Sequence, residues 1–266
     1  MNTIDSQDYD AELVLLAEGP IEKNEMRLYK DGEDLGPPYK VFNHLLKQQQ
    51  ADRMGESEEI TKYIFGDFDK KLEQLKEELG KEVVDIILNG RLRMSLLISS
   101  DGGLLKSADN LSQYMKIIKE NGGINEAYLN VALGGATEMF LHADKRIIHP
   151  FSAIFVDPLN GGTEEFKEHR YFMLKLALAL STLDDKRDEL DEFIAGKEKD
   201  NLSGADYDTA LSFSSNDMVY YGISHELTQS LAEMREKFAK RTGLDFMSQD
   251  ICTDFEMRVK RFFEES

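Results

Sequence analysis

The sequence has few of the residues on which disulfide-rich, metal-binding and disordered proteins depend. Its 266 residues include one cysteine, five prolines and no tryptophan. Cys252 alone cannot form a disulfide within the chain, and the five histidines are too scattered to offer metal-ligand spacing. We therefore expect a protein without disulfide, metal or cofactor.

Positive charge is also scarce. The chain carries 32 Lys and Arg against 51 Asp and Glu, a formal net charge of -19. Such a charge repels phosphate backbones and anionic lipid headgroups, so we expect neither a nucleic-acid nor a membrane partner. The first residues, MNTIDSQDYDAE, have no basic or apolar stretch of a secretory signal, and Lys175 interrupts the most apolar run, residues 171–180. The expected location is the cytoplasm.

Apolar residues are sufficient for one large folded domain, since they make up 41% of the chain. Short apolar runs at residues 12–17, 94–98 and 127–133 predict buried strands. Glycine pairs, Gly102-Gly103 and Gly134-Gly135, follow the second and third runs, and a helical pattern follows each pair. This repeated order of strand, glycine turn and helix predicts an α/β fold with a parallel sheet.

Two segments lie outside this repeat. Residues 25–90 are charged and mostly helical in pattern, with a break at GEDLGPP and a second helical piece from Asp67 to Gly90. Residues 226–266 form a further helical pattern. We therefore predict an α/β domain over residues 1–225, with a helical insertion at about 25–90, and a C-terminal helical extension over residues 226–266.

Two motifs, VLLAEGPIE and LLISSDGG, each combine an apolar strand with a turn. They resemble the opening strand and turn, and the strand and Ser-Pro-Gly-Gly, of the proteolytic subunit of Clp protease (ClpP), within the wider ClpP/crotonase-like superfamily, with Asp101 in place of the proline. VALGGATEMFLHADKRIIHPFSAIFVDP resembles the nucleophile turn, helix and following strand, and SFSSNDMVYYGISHEL a later segment. The resemblance spans residues 12–24 and 93–226, and it implies a repeated ββα core and an oligomeric serine peptidase.

The resemblance places an altered catalytic triad in this chain. The family serine falls on Thr137, the histidine falls on Asp157 or is deleted, and the acid falls on Asp206, with Asp208 as an alternative. A carboxylate with a pKa of about 4 is a weaker base than imidazole, and the threonine methyl group crowds the attacking oxygen. The implied peptidase is therefore impaired or inactive.

Backbone groups of the family site are less altered. The resemblance places the oxyanion donors at the N–H of Gly103, or of its neighbour Gly102, and at the N–H of Glu138. These roles need only main chain, so they survive changes of side chain. His142 lies five residues after Thr137, on the wrong helical face to replace the lost base, and His149 is expected to be a structural polar residue at the edge of the core.

Two other functions remain open from the residues. ALGGATEMFLHAD is also similar to a segment of crotonase-type enzymes, which makes Glu138 a candidate acid or base of an acyl-CoA hydratase or isomerase. Alternatively, the chain is a non-catalytic structural or regulatory subunit. By the resemblance, its partners would be other copies of itself in a ring, formed through residues 163–195, an active ClpP-type subunit, an ATP-driven unfoldase or, if active, a peptide.

Overall fold

A mixed sheet forms the centre of the protein. The computed structural model describes residues 9–18, 26–100, 105–156, 183–202 and 211–243. Eight strands of these residues form the sheet: β1 (Ala11–Glu18), β2 (Arg27–Lys30), β3 (Glu33–Gly36), β4 (Leu92–Ser100), β5 (Ile124–Leu133), β6 (Lys145–Val156), β7 (Leu211–Ser214) and β8 (Glu226–Leu227). Their order is β3-β2-β1-β4-β5-β6-β7, and β8 also pairs with β6.

The central strands are parallel and the outer ones mainly antiparallel. β1, β4, β5 and β6 run parallel to their neighbours in this group. β2, β3 and β7 are antiparallel to the strands beside them, whereas the short β8 is parallel to β6. The predicted α/β class with a mostly parallel sheet is therefore confirmed.

Nine helices are described: α1 (Tyr39–Met54), α2 (Glu58–Phe65), α3 (Phe68–Leu79), α4 (Lys81–Asn89), α5 (Leu105–Glu120), α6 (Gly135–His142), α7 (Arg187–Leu202), α8 (Ser215–Tyr220) and α9 (Leu231–Thr242). In the described part of the chain, no helix is both long enough and apolar enough to cross a bilayer. Residues 163–195, through which the expected ring would form, lie mostly outside the described residues.

Both faces of the sheet are covered, because successive side chains of a strand point to opposite sides. On the first face, Leu15, Leu96 and Leu129 share a large core with residues of α1, α4, α5 and α6. On the second face, a smaller core joins Val14, Leu97, Tyr128 and Ile147 to Met234 and Phe238 of α9. The first part of the predicted C-terminal extension thus contributes β8 to the sheet and a helix that covers its second face.

The insertion is helical, as predicted, but it also contains a hairpin. β2 and β3 are joined by Asp31 and Gly32, whose φ angles of 51° and 82° are both positive. A type I′ turn requires positive φ at both positions, and Asp-Gly is a preferred pair there, so the Asp31-Gly32 dipeptide was a usable signal of this hairpin. The predicted second helical piece is two helices, α3 and α4, separated at Gly80, and α4 is capped by Gly90.

Candidate functional site

The turn from β5 into α6 is made by a glycine in a conformation that side chains disfavour. Gly134 precedes the helix with φ 56° and ψ -121°, and its N–H donates to the Phe155 carbonyl at 3.2 Å. L-residues rarely adopt a positive φ, and hydrolases that hold a nucleophile on a strained strand-to-helix turn expose its side chain there. In this protein the turn residue has no side chain to expose.

Thr137 lies inside the first turn of α6 and not at the turn itself. Its side chain is fully buried, with an exposed fraction of 0%. The Thr137 Oγ1 is 3.1 Å from the carbonyl oxygen of Ala132 and 3.1 Å from that of Phe155, and it donates to them. The hydroxyl proton is therefore directed at two backbone acceptors of the sheet, neither of which is a general base.

Glu138 is also buried on α6. Its backbone N–H donates to the Gly134 carbonyl at 3.4 Å, which is a bond within the helix. Its carboxylate Oε1 lies 3.7 Å from Nε2 of His142, four residues further along α6. An acidic group and an imidazole thus lie together beside Thr137, with the His142 side chain partly exposed.

The remaining predicted site residues, Gly102, Gly103, Asp157 and Asp206, lie outside the described residues. Thr137 and Glu138 are consecutive residues of α6. The catalytic triad also needs Asp157 and Asp206, and the oxyanion pair also needs Gly102 or Gly103, so both stay predictions.

A second polar cluster lies on the other face of the sheet, near the carboxyl ends of β4 and β5. His149 Nε2 and Asn130 Oδ1 are 3.0 Å apart, and Asn130 Nδ2 donates to Ser99 Oγ at 3.0 Å. Phe151 N–H donates to His149 Nδ1 at 3.3 Å, so Nδ1 is an acceptor and the ring proton is assigned to Nε2. All three side chains of this chain of hydrogen bonds are buried.

Strand irregularities create this cluster. The pairing of β5 with β4 shifts between Ile98 and Ser99, and its pairing with β6 jumps from Leu129–Ile148 to Val131–Ala153. Asn130 is therefore left without a register partner on either side, and its side chain bonds to Ser99 and His149 instead. The structural role expected for His149 agrees with this geometry, but its partners could not be read from local sequence.

We expect the protein to lose stability as the pH falls from about 6.5 to 4. Burial, with a contribution from Arg235, lowers the pKa of His149 to about 4, and burial likewise lowers the pKa of His225 to about 4. In this pH range the unfolded chain takes up protons that the folded chain does not, so the free energy of unfolding falls with acidification. Urea unfolding at pH 4 to 7 measures this dependence.

His149→Gln keeps a side chain that can bond to Asn130 but removes one titrating group. Over the same range, the free energy of unfolding of this variant should change less steeply with pH than that of the wild type, by at most about one proton per molecule. His225→Gln is the matched comparison, and it should reduce the slope by a similar amount. Equal slopes in the wild type and both variants would contradict the buried neutral state of these imidazoles.

Comparisons with known proteins give only remote similarities. No family model matches the sequence, and no curated protein matches it. Among solved structures, ClpP1 from Listeria monocytogenes is similar with a TM-score of 0.42 and 14% identity, over 83% of this chain and 94% of that chain. A peptidase from Plasmodium falciparum is similar with a TM-score of 0.40 and 11% identity, over 82% of this chain and 95% of that chain. Similarities of this strength assign neither a family nor an activity to the chain.

Proposed function

We propose that this chain is a non-catalytic relative of the Clp proteolytic subunit, which acts as a structural or regulatory subunit by assembling with itself or with an active relative. The single observation that carries the proposal is the burial of the Thr137 hydroxyl between the carbonyls of Ala132 and Phe155. The motif resemblance of the sequence supports the relationship, and the geometry of α6 supports the absence of peptidase activity.

The physical argument concerns access and proton transfer. A nucleophilic hydroxyl must reach the substrate carbonyl and must lie within hydrogen-bond reach of a base. Thr137 meets neither condition here, because its proton is directed at backbone carbonyls and its side chain is fully buried. Removal of a triad member costs on the order of 10⁶-fold in turnover, so a partial site would give no measurable cleavage.

Thr137→Ala and Thr137→Val separate a structural threonine from a catalytic one. We expect the wild type and both variants to be equally inactive on unstructured protein and on fluorogenic peptides. We also expect Thr137→Val, which keeps the shape but removes the donor, to lower the free energy of unfolding by about 1–3 kcal/mol, since two buried carbonyls lose a partner. Robust cleavage by the wild type that Thr137→Ala abolishes would overturn the proposal.

Self-assembly is tested separately from catalysis. Light scattering of the purified chain should give a mass well above the 30.3 kDa of one copy. A monomer at high protein concentration would contradict self-assembly, and co-purification with an active relative would then decide whether the regulatory role survives. Neither result depends on the behaviour of Thr137.

A second candidate function, a crotonase-type acyl-CoA hydratase or isomerase, is favoured by one observation. The Glu138 carboxylate is buried and lies 3.7 Å from the imidazole of His142, which is an arrangement suited to acid–base work. This function predicts tight acyl-CoA binding and a hydratase activity that Glu138→Gln abolishes. Without acyl-CoA binding by the wild type, the candidate is excluded.

A further inference from the structure

Helix α2 of the insertion carries an apolar stripe that faces solvent. Ile60, Tyr63 and Ile64 are 44%, 91% and 51% exposed. Positions i, i+3 and i+4 of a helix lie on the same side, so these three residues form one surface, here called the α2 face. None of the eight residues of α2 is buried. A helix of this length is marginal in water by itself, so its stability requires tertiary contacts.

The surroundings of the α2 face are acidic. Glu56, Glu58 and Glu59 are exposed at the start of the helix. Within α2 itself the cation is Lys62, which forms an ion pair with Asp67 at 2.7 Å and so does not offset these carboxylates. A segment that covers the α2 face should therefore combine apolar side chains with basic ones.

One segment of the chain has this composition. Residues 257–263, MRVKRFF, include three basic residues, Arg258, Lys260 and Arg261, in a chain whose net charge is -19. The apolar residues Val259, Phe262 and Phe263 have the same i, i+3, i+4 spacing as the α2 face. The segment lies beyond Gly243, the last residue that the structure describes.

The connection between Gly243 and this segment is long. Thr242, at the end of α9, lines the same cavity as Asp31 and Gly32 of the β2–β3 turn. In chain order, α1 follows the β2–β3 hairpin and precedes α2, and its 16 residues are about 24 Å long at about 1.5 Å per residue. The stretch from Gly243 to Met257 contains about 14 steps, and an extended chain of this length spans about 46–50 Å.

We propose that residues 257–263 dock onto the α2 face of the same chain, with Val259, Phe262 and Phe263 against Ile60, Tyr63 and Ile64. The basic residues of the segment then lie beside Glu56, Glu58 and Glu59. Tethering favours this pairing, because a linker that matches the distance gives an effective concentration in the millimolar range. This docking joins the C-terminal end of the chain to the helical insertion. It does not depend on the function proposed above for the protein.

The absence of tryptophan makes the docking measurable in the full chain. Tyr63→Trp introduces a single indole at the most exposed position of the α2 face. Acrylamide quenching then reports how much of the indole is accessible. When Arg258→Glu and Arg261→Glu are added, the accessible fraction should rise about fivefold, which is the change expected when a docked-to-free ratio of about ten to one becomes nearly even.

Two matched variants complete the test. Adding Glu56→Lys and Glu59→Lys to the charge-reversed segment should restore the protection of the indole. Lys81→Glu with Lys116→Glu, two exposed lysines on α4 and α5, should leave the quenching unchanged. The proposal is overturned if reversing Arg258 and Arg261 has no effect. It is also overturned if protection grows with protein concentration, because a second copy would then be the occupant.

Discussion

Arg146→Ala is expected to lower the free energy of unfolding by about 3–5 kcal/mol. Arg146 is almost fully buried near the start of β6. Its guanidinium donates to the Ile223 carbonyl through Nε and to the Ala143 carbonyl at 2.8 Å through Nη1. Burial lowers the pKa of Arg146 to about 10, so the group is still charged at pH 7 and its hydrogen bonds are charge-assisted.

The expected loss is large because three contributions add. Two buried carbonyls lose their donor, a cavity replaces the side chain, and the segment leading into β8 loses one of its attachments to the region of β6. The backbone N–H of Arg146 also donates to His225 Nδ1 at 3.1 Å, so the same place carries a second link to that segment. Urea unfolding followed by circular dichroism measures the change.

Arg53→Ala is the control for the loss of an arginine, because Arg53 is exposed in the last turn of α1. It should change the free energy of unfolding by no more than about 0.5 kcal/mol. Arg146→Lys keeps the charge but loses the planar guanidinium. Its loss of unfolding free energy should lie between those of Arg53→Ala and Arg146→Ala. Equal effects of Arg146→Ala and Arg53→Ala would refute the structural role of the buried guanidinium.

Phe238→Ala is expected to have an effect of similar size, about 3–5 kcal/mol. Phe238 is fully buried in the core of the second face, and its ring meets that of Tyr128 edge-on at a centroid distance of 5.1 Å. This core is small, and α9 contributes to it mainly through Phe238 and Met234. Truncation of the ring therefore removes a main anchor of the helix.

Limited proteolysis distinguishes local detachment of α9 from global unfolding. We expect Phe238→Ala to increase cleavage within residues 231–242 before the rest of the domain is attacked. Lys240→Ala, an exposed change on the same helix, should leave the cleavage rate and the stability nearly unchanged. If Phe238→Ala lowers the free energy of unfolding by less than about 1 kcal/mol, this ring does not anchor α9.

Much of the central sheet could be predicted from local sequence. Strands β1, β4 and β5 are buried on both faces, and such strands need continuous apolar runs, which residues 12–17, 94–98 and 127–133 provide. The Asp31-Gly32 turn was equally local but was missed, because the charged residues around it favoured helix. β6 is one strand, in which the pairing with β5 jumps past residues 149–152.

The site was harder to predict because it depends on distant partners. Thr137 matches a nucleophile by its position in a motif, yet its hydroxyl donates to carbonyls 5 and 18 residues away. His149 bonds to Asn130, 19 residues away, and Asn130 bonds to Ser99, 31 residues away. A shift of one residue in the register of a strand would redirect each of these side chains.

By itself, the sequence determined the α/β class, the parallel central strands and the glycine turn that begins α6, because apolar runs and glycine pairs act on the nearest residues. Only the tertiary structure decided which atoms face one another: the Thr137 hydroxyl and two sheet carbonyls, His149 and Asn130, Phe238 and Tyr128. The physical reason is that these contacts depend on strand register and on how helices lie across the sheet, and both result from packing of the whole core.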